Sequence, residues 1–334
     1  MRFRTMIGFS VLTVGLCIAC GGGSASQTTT PADTAPTSVA VKTPEFNADS
    51  AYQYIAKQMA FGNRIPNTAS HAQTAEWLAS ELRRHGAEVI VQDAPVRAYD
   101  NTILQAKNII GQFNPEQKER VLLLAHWDSR PFADYDKNPA NLRKPVPGAN
   151  DGASGVGVLL EIARLLGKEN PKKGIDILFV DAEDYGTPSF AETKGGDNTW
   201  ALGTQYWANR PHKPGYRAKY AILLDMVGAK NATFLREGFS NHYAPYLVDK
   251  VWKAGQQLGY GAYFIEKEGG YINDDHYYVN TMARIPAIDI IHLDPESETG
   301  FYPYWHTVDD TLDKIDPATL EAVGRTVTYI LYND

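Results

Sequence analysis

Six short apolar runs, set apart by amphipathic stretches, constrain this chain more than any other feature. They read EVIVQ (88–92), KNIIGQF (107–113), RVLLLAH (120–126), IDILFVD (175–181), YAILLDM (220–226) and AIDIIHL (287–293). All are short and rich in Ile, Val and Leu, the pattern of central strands buried on both faces. Helical periodicity runs through 49–61 and through 70–85, where Ala75, Leu78, Ala79 and Leu82 share one face. It returns at 154–166, 243–258 and 317–332. The alternation predicts an α/β chain with a single folded domain. Its core is a central mixed, twisted β-sheet flanked by helices on both faces. No internal repeat suggests another architecture. In such sheets ligands sit beyond the carboxyl ends of the strands, so the residues that follow each run carry the functional reading.

The N-terminus reads as a leader. Arg2 and Arg4 precede a largely apolar stretch from Ile7 to Ile18, too short for a permanent membrane span. Ala19 and Cys20 follow, and a small residue before a cysteine at this point resembles a bacterial lipoprotein processing site. Residues 1–19 are therefore expected to be a lipoprotein signal peptide and Cys20 a lipidated residue. The Gly, Ser, Thr and Pro that follow bury too little surface to offset their ordering entropy. Residues 20–43 are expected to be the anchor and a flexible tether, and residues 44–334 the folded domain. The expected location is the bacterial cell envelope, facing the periplasm, with membrane contact only through the lipid at Cys20. The domain is expected to be a monomer.

Cys17 and Cys20 are the only cysteines. After processing, no thiol remains as nucleophile or metal ligand, and no disulfide is available. About 290 residues are left, enough for one large domain. The formal charge is −7, and losing Arg2 and Arg4 takes it to −9. That balance argues against nucleic acid as a partner.

Acids and histidines gather after the strands. RVLLLAH ends on His126 and is followed by Asp128. The segment PGANDGASG places Asp151 just before a helix. IDILFVD runs into Glu183 and Asp184, and YAILLD ends on Asp225. A GGYINDDH loop supplies Asp274, Asp275 and His276, and Trp305-His306 follows the last strand. Taken singly, an Asp after a strand is usually a helix cap, and a lone His is usually a surface or satisfied core residue. Together, so many carboxylates at one rim repel one another unless a cation neutralises them. The histidines favour zinc over magnesium or calcium, which prefer all-oxygen sites.

This order of motifs is similar to that of zinc-dependent aminopeptidases of the exopeptidase type, which hold two metals. The chain more closely resembles the glutaminyl cyclases of the animal type, and their bacterial relatives in particular. The resemblance rests on FGNRIPNT (61–68), AHWDSRPF (125–132), PGANDGASG (147–155), VDAED (180–184), LLDMVGA (223–229), NDDH (273–276) and FYPYWHTVDDTLDKID (301–316). It spans roughly residues 50–334. The Trp-His pair at 305–306 is its most specific element.

The resemblance implies one Zn2+ per chain, bound by Asp151, Asp184 and His306. It implies Glu183 as the catalytic acid/base and Asp225 with Asp274 as a hydrogen-bonded acidic network. His126 becomes a structural remnant of a second metal site. The implied substrates are peptides or proteins with N-terminal glutamine, converted to pyroglutamate with release of ammonia. Trp305 would wall the pocket, and Phe301 and Trp200 would add substrate-binding surface, with Tyr302 and Tyr304 as further aromatic neighbours. Two departures stand out. Asp184 occupies a position where the animal enzymes usually carry Glu, and their cysteine pair is missing. The stretch from Phe132 to Pro147 has no assignable partner. Two rivals remain: a two-zinc aminopeptidase using His126 and Asp225 as ligands, and a non-catalytic binding lipoprotein on the same fold. A serine hydrolase is rejected, because Ser154 lacks the G-x-S-x-G context of a nucleophile elbow.

Overall fold

The computed structural model describes residues 43–192 and 197–334. The expected signal peptide, Cys20 and the tether up to residue 42 lie outside the described residues. Helices α1 (Ala48–Ala60) and α2 (Ala69–Arg84) lead into strands β1 (Glu88–Arg97) and β2 (Ile103–Phe113). Next come β3 (Arg120–His126), α3 (Ala153–Leu166), β4 (Gly174–Val180), α4 (Leu202–Asn209) and β5 (Ala221–Asp225). The chain continues through β6 (Phe234–Arg236), α5 (Gly238–Tyr243), α6 (Pro245–Gln257), β7 (Phe264–Glu268) and α7 (Asp275–Tyr278). It ends with β8 (Ala287–Ile291) and α8 (Pro317–Asn333).

Six strands form one mixed sheet in the order β1-β2-β4-β3-β5-β8, and β6 and β7 form a small separate pair. β1, β2 and β4 pair antiparallel, whereas β4, β3, β5 and β8 run parallel. Alternation along β3 sorts its side chains between two cores. Val121, Leu123 and Ala125 join the larger core under α1, α3, α6 and α8. Leu122 and Leu124 point to the opposite face, against Trp207 of α4 and Val279. Every residue of β3, β4, β5 and β8 is buried, as continuous apolar runs in a covered parallel sheet should be.

Two local expectations need correction. EVIVQ is not central: it belongs to an antiparallel edge strand whose Val91 is 40% exposed, and both arms of its hairpin are longer than the apolar runs suggest. The expected helix over 243–258 is present as α6 but starts later, because Tyr243 ends the preceding short helix, α5. Pro245 starts α6, and the residue before a proline is driven out of the helical region, as Ala244 is at φ −141° and ψ 52°. The short elements α4, β6, β7 and α7 carry too few residues for a periodicity to register.

The four parallel strands end on one rim. There β3 delivers His126, β4 is followed by Glu183 and Asp184, β5 ends on Asp225, and α3 begins two residues after Asp151. Gly152 makes the approach between α3 and β3 possible: a Cβ there would lie 2.4 Å from His126 Nε2.

Candidate active site

Backbone hydrogen bonds to two buried carboxylates set the rim. Asp128 accepts from the N–H groups of Glu183 and Asp184 at 3.1 and 3.2 Å. Asp310 accepts from those of Asn150 and Asp151 at 2.9 and 3.1 Å. Arg64, also fully buried, donates to the carbonyls of Trp127, Pro147 and Gly148 and so fixes the loop that carries Asp151. Ser154 is part of the same scaffold. Its hydroxyl donates to the Asn150 carbonyl and accepts from the Val227 N–H. It is committed to structure, in keeping with the rejection of a serine nucleophile.

Three turns at the rim use left-handed backbone on residues other than glycine: Ala182 (φ 52°), Met226 (φ 48°) and His306 (φ 54°). Each lies beside or at a residue in question, namely Glu183, Asp225 and His306 itself. Such conformations cost about 1 kcal/mol or more each and concentrate at functional sites.

The structure brings Asp151, Asp184 and His306 together, with ligand atoms all within 4.8 Å of one another. His306 Nε2 lies 3.1 Å from Asp184 Oδ1 and 3.6 Å from Asp151 Oδ2. Both Asp184 carboxylate oxygens are buried and meet no hydrogen-bond donor. A buried carboxylate in that condition is costly unless a cation serves it. Two carboxylates and one imidazole on an open cavity suit zinc, with a position left for substrate or water. The residues therefore fit the metal.

His126 stands on the other side of Asp151. Its Nε2 lies 3.0 Å from Asp151 Oδ1 and 3.2 Å from Asp225 Oδ1, and its Nδ1 lies 3.5 Å from Asp128. The ligand atoms of His126, Asp151 and Asp225 also lie within 4.8 Å of one another. Burial works against a charged imidazole here, but the hydrogen bonds to Asp128, Asp151 and Asp225 outweigh it and raise the His126 pKa well above its ordinary value. His306 goes the other way: burial, then the nearby Arg130 charge, push it down to about 3.

Burial lifts the Glu183 carboxyl well above the ordinary range, aided by the charges of Asp274, Asp184 and Asp275. Burial raises Asp225 to about 8, although its hydrogen bond with His126 opposes the shift. Asp274 is raised mainly by burial. The expected bond between Asp225 and Asp274 is replaced by separate partnerships. Asp225 bonds His126, and Asp274 accepts from the Asp275 N–H at 2.5 Å. Asp274 also faces Asp289, whose pKa burial and the Asp274 charge push well up. Asp225 and Asp274 still repel one another, which favours a proton on one of them. Asp275 and His276 lie behind Asp274, where His276 Nε2 pairs with Glu237 at 2.9 Å.

A cavity of about 360 Å3 is lined by Asp151, Glu183, Asp184, Asp225, Asp274 and His306, with Trp200, Phe301 and Trp305 on its walls. The Trp305 ring stacks on His306 at 3.7 Å and meets Phe301 at 4.5 Å. Trp200 lies parallel to the His306 ring at 6.0 Å. Of the other aromatics, Tyr302 is buried against His292 and Tyr304 is exposed beneath Lys314, so neither walls this cavity. Trp127 is core: it is fully buried and stacks on His71. The stretch from Phe132 to Pro147 does have partners. Its Asp134 pairs with Arg130, and its Tyr135 packs on Trp305.

Asp128, Arg130, Asp134, Asp289 and Asp310 have roles that the sequence reading did not assign. Asp128 and Asp310 fall inside the motifs AHWDSRPF and FYPYWHTVDDTLDKID, which was the available signal. Nothing in a sequence tells an acid that holds backbone N–H groups from one that faces substrate.

The chain shares its fold with solved bacterial proteins. A Zn-dependent exopeptidase from Parabacteroides distasonis is 56% identical, with a TM-score of 0.87 over 88% of this chain and 100% of that one. A glutaminyl cyclase from Bacteroides thetaiotaomicron, solved with N-acetylhistamine, is 53% identical, with a TM-score of 0.86 over 88% of this chain and 100% of that one. Among curated relatives, the aminopeptidase YwaD of Bacillus subtilis is 26% identical over 75% of this chain. The glutaminyl-peptide cyclotransferase of Bos taurus is 26% identical over 65% of it. The chain spans 50% of the first of these relatives and 63% of the second. The model of peptidase family M28 matches residues 108–331, and the chain belongs to that family.

Proposed function

We propose that this chain is a glutaminyl-peptide cyclotransferase, which converts the N-terminal glutamine of peptides and proteins to pyroglutamate and releases ammonia. One observation carries the reading. A small cavity places Glu183 beside the Asp151, Asp184 and His306 cluster and closes over it with Trp305, Phe301 and Trp200. The 53% identity to a solved protein described as a glutaminyl cyclase supports it.

Asp151, Asp184 and His306 would hold one zinc ion, which when bound supplies a Lewis acid for the γ-carbonyl oxygen of the substrate. The α-amine nitrogen attacks the γ-amide carbon, a C–N bond forms, and the bond to the amide nitrogen breaks. Glu183 takes the proton from the α-amine and delivers it to the leaving nitrogen, which departs as ammonia. A carboxyl lifted above its ordinary pKa is a stronger base than a free carboxylate, and once protonated it remains a competent acid. Whichever of Asp225 and Asp274 keeps its proton hydrogen-bonds the leaving nitrogen. The aromatic walls favour the folded ring-closing geometry and keep out water, whose attack would give glutamate instead.

A second reading, a two-zinc aminopeptidase, draws on the His126, Asp151 and Asp225 group. The cyclotransferase reading is favoured by the 53% identity to the solved glutaminyl cyclase. The same proposal includes export to the bacterial envelope, a lipid anchor at Cys20, a periplasm-facing domain and a monomeric enzyme. Among the described residues, no helix is long and apolar enough to cross a membrane.

The test uses the purified chain from residue 44 onward, a peptide beginning in Gln, mass spectrometry of that peptide, and metal analysis of the same sample. Loss of ammonia without release of a residue, with about one zinc per chain, is the expected result. Release of free amino acids with two metals establishes the aminopeptidase. Bound zinc with neither activity returns the chain to a binding role.

A further inference from the structure

Arg130 and Asp134 form an ion pair that is fully or almost fully buried, 0% and 5% exposed. It is bidentate: Arg130 Nε donates to Asp134 Oδ1 at 2.7 Å and Nη2 donates to Oδ2 at 2.8 Å. A buried pair alone says little about function, since such pairs often contribute no net stability. What sets this one apart is what else it touches. The third nitrogen, Nη1, donates to the Asp184 carbonyl at 2.9 Å and lies 3.5 Å from the Asp184 carboxylate. Asp134 Oδ1 faces His306 Nδ1 at 3.6 Å, on the side of the ring away from Asp151 and Asp184. The guanidinium stacks over Trp200 at 4.6 Å. Asp134 is itself fixed from behind by the Ser189 N–H at 2.7 Å.

We infer that Arg130 and Asp134 are positioning residues: they set the spacing and orientation of Asp184 and His306 as metal ligands and seat Trp200 at the cavity wall. This rests on the zinc reading given above. The physical reason is general. An imidazole that offers Nε2 to a metal carries its proton on Nδ1, and an acceptor there fixes the ring and raises its basicity. Asp134 is the carboxylate that faces Nδ1, at 3.6 Å, and Arg130 ties it to the second ligand, so that two ligands from distant parts of the chain are held by one rigid fork. The segment 132–147 is thereby the strap that carries Asp134 to His306.

The experiment measures zinc affinity by competition with a chromogenic chelator for the wild type, His306→Ala, Asp134→Ala and Asp134→Asn. It also records kcat and KM separately for each zinc-saturated protein, and the melting temperature of each metal-free protein. Asp134→Ala is expected to weaken zinc by about 10- to 100-fold and to lower kcat with little change in KM. Asp134→Asn keeps an oxygen facing Nδ1, so its affinity should fall between the wild type and Asp134→Ala. If Asp134→Ala does not fold, Asp134→Asn decides. Wild-type zinc affinity and kcat in whichever of these variants folds, with only the metal-free melting temperature lowered, overturn the inference and leave an ordinary ion pair. A wild type that binds no zinc, or a His306→Ala protein that binds it as tightly as the wild type, instead overturns the ligand reading beneath it.

Discussion

Two histidines flank Asp151, and apart from the family resemblance their sequence settings give no reason to treat them differently. Each is buried, each lies against three carboxylates, and each could serve a metal. Their surroundings nevertheless give them opposite characters. Burial works against a charge on His126, but its hydrogen bonds to Asp128, Asp151 and Asp225 raise its pKa well above the ordinary value and favour the imidazolium. His306 has Arg130 nearby and stays neutral, with Nε2 turned toward Asp184 and Asp151. A metal ligand must be neutral imidazole, so these shifts favour His306 over His126 as the ligand of the single zinc proposed above.

The largest expected effect comes from Glu183, which lines the same cavity as Asp151, Asp184 and His306. Glu183→Gln is expected to keep zinc and to lower kcat for cyclisation by about 10^3-fold or more, since positioned acid–base groups contribute about 10^2–10^4. Retained turnover, measured by ammonia release, would remove Glu183 from the chemistry. Next in size is the pair His306→Ala and His126→Ala. The first should lose most of its zinc. The second should keep about one zinc per chain but lose about 3–5 kcal/mol of stability, because it leaves buried carboxylates unpaired. Metal analysis beside urea titration separates these outcomes, and zinc loss in both variants would make the two histidines equivalent.

Trp305→Leu has a smaller expected effect. It trims the wall that stacks on His306 and should lower kcat/KM by about 10- to 200-fold, the range for lost pocket contacts. The smallest effect is on pH. His306 is pushed down to about 3 by burial first and Arg130 second, so it stays neutral in the fold while the unfolded chain binds a proton below its ordinary value of 6.5. Its contribution to the stability of the metal-free protein is thus lost as pH falls from 6.5 toward about 3. The sign for His126 is opposite. Its raised value gives stability that is complete below 6.5 and lost as pH rises through the higher folded value. Urea midpoints across pH, for the wild type and His306→Gln in the presence of chelator, should show the acid slope flatten in the variant. Nitrogen-15 NMR of the histidines should show an imidazolium at His126 and a neutral ring at His306.

The parallel strands were legible because burial on both faces leaves no polar positions to blur them: β3 occupies the residues of RVLLLAH. The antiparallel edge was less so, since β1 alternates with solvent and its apolar run ends before the strand does. The rim acids announced themselves by following those strands. What remained hidden was their division of labour. Asp128 and Asp310 hold backbone, Asp134 stands behind His306 from a segment with no visible partner, and Asp289 lies within an apolar run where it passes for part of a strand. Such roles depend on distances across the fold, which local sequence does not carry.

The left-handed turns at Ala182, Met226 and His306 bear on how this protein can be improved by engineering. Replacing Ala182 or Met226 with glycine would relieve an unfavourable conformation, yet it would also widen the range of angles open to the adjoining Glu183 or Asp225. Directed selection for heat resistance should therefore find easy gains on the outer helices and meet a trade-off at the strand ends, where a sturdier fold and a sharper site call for different residues.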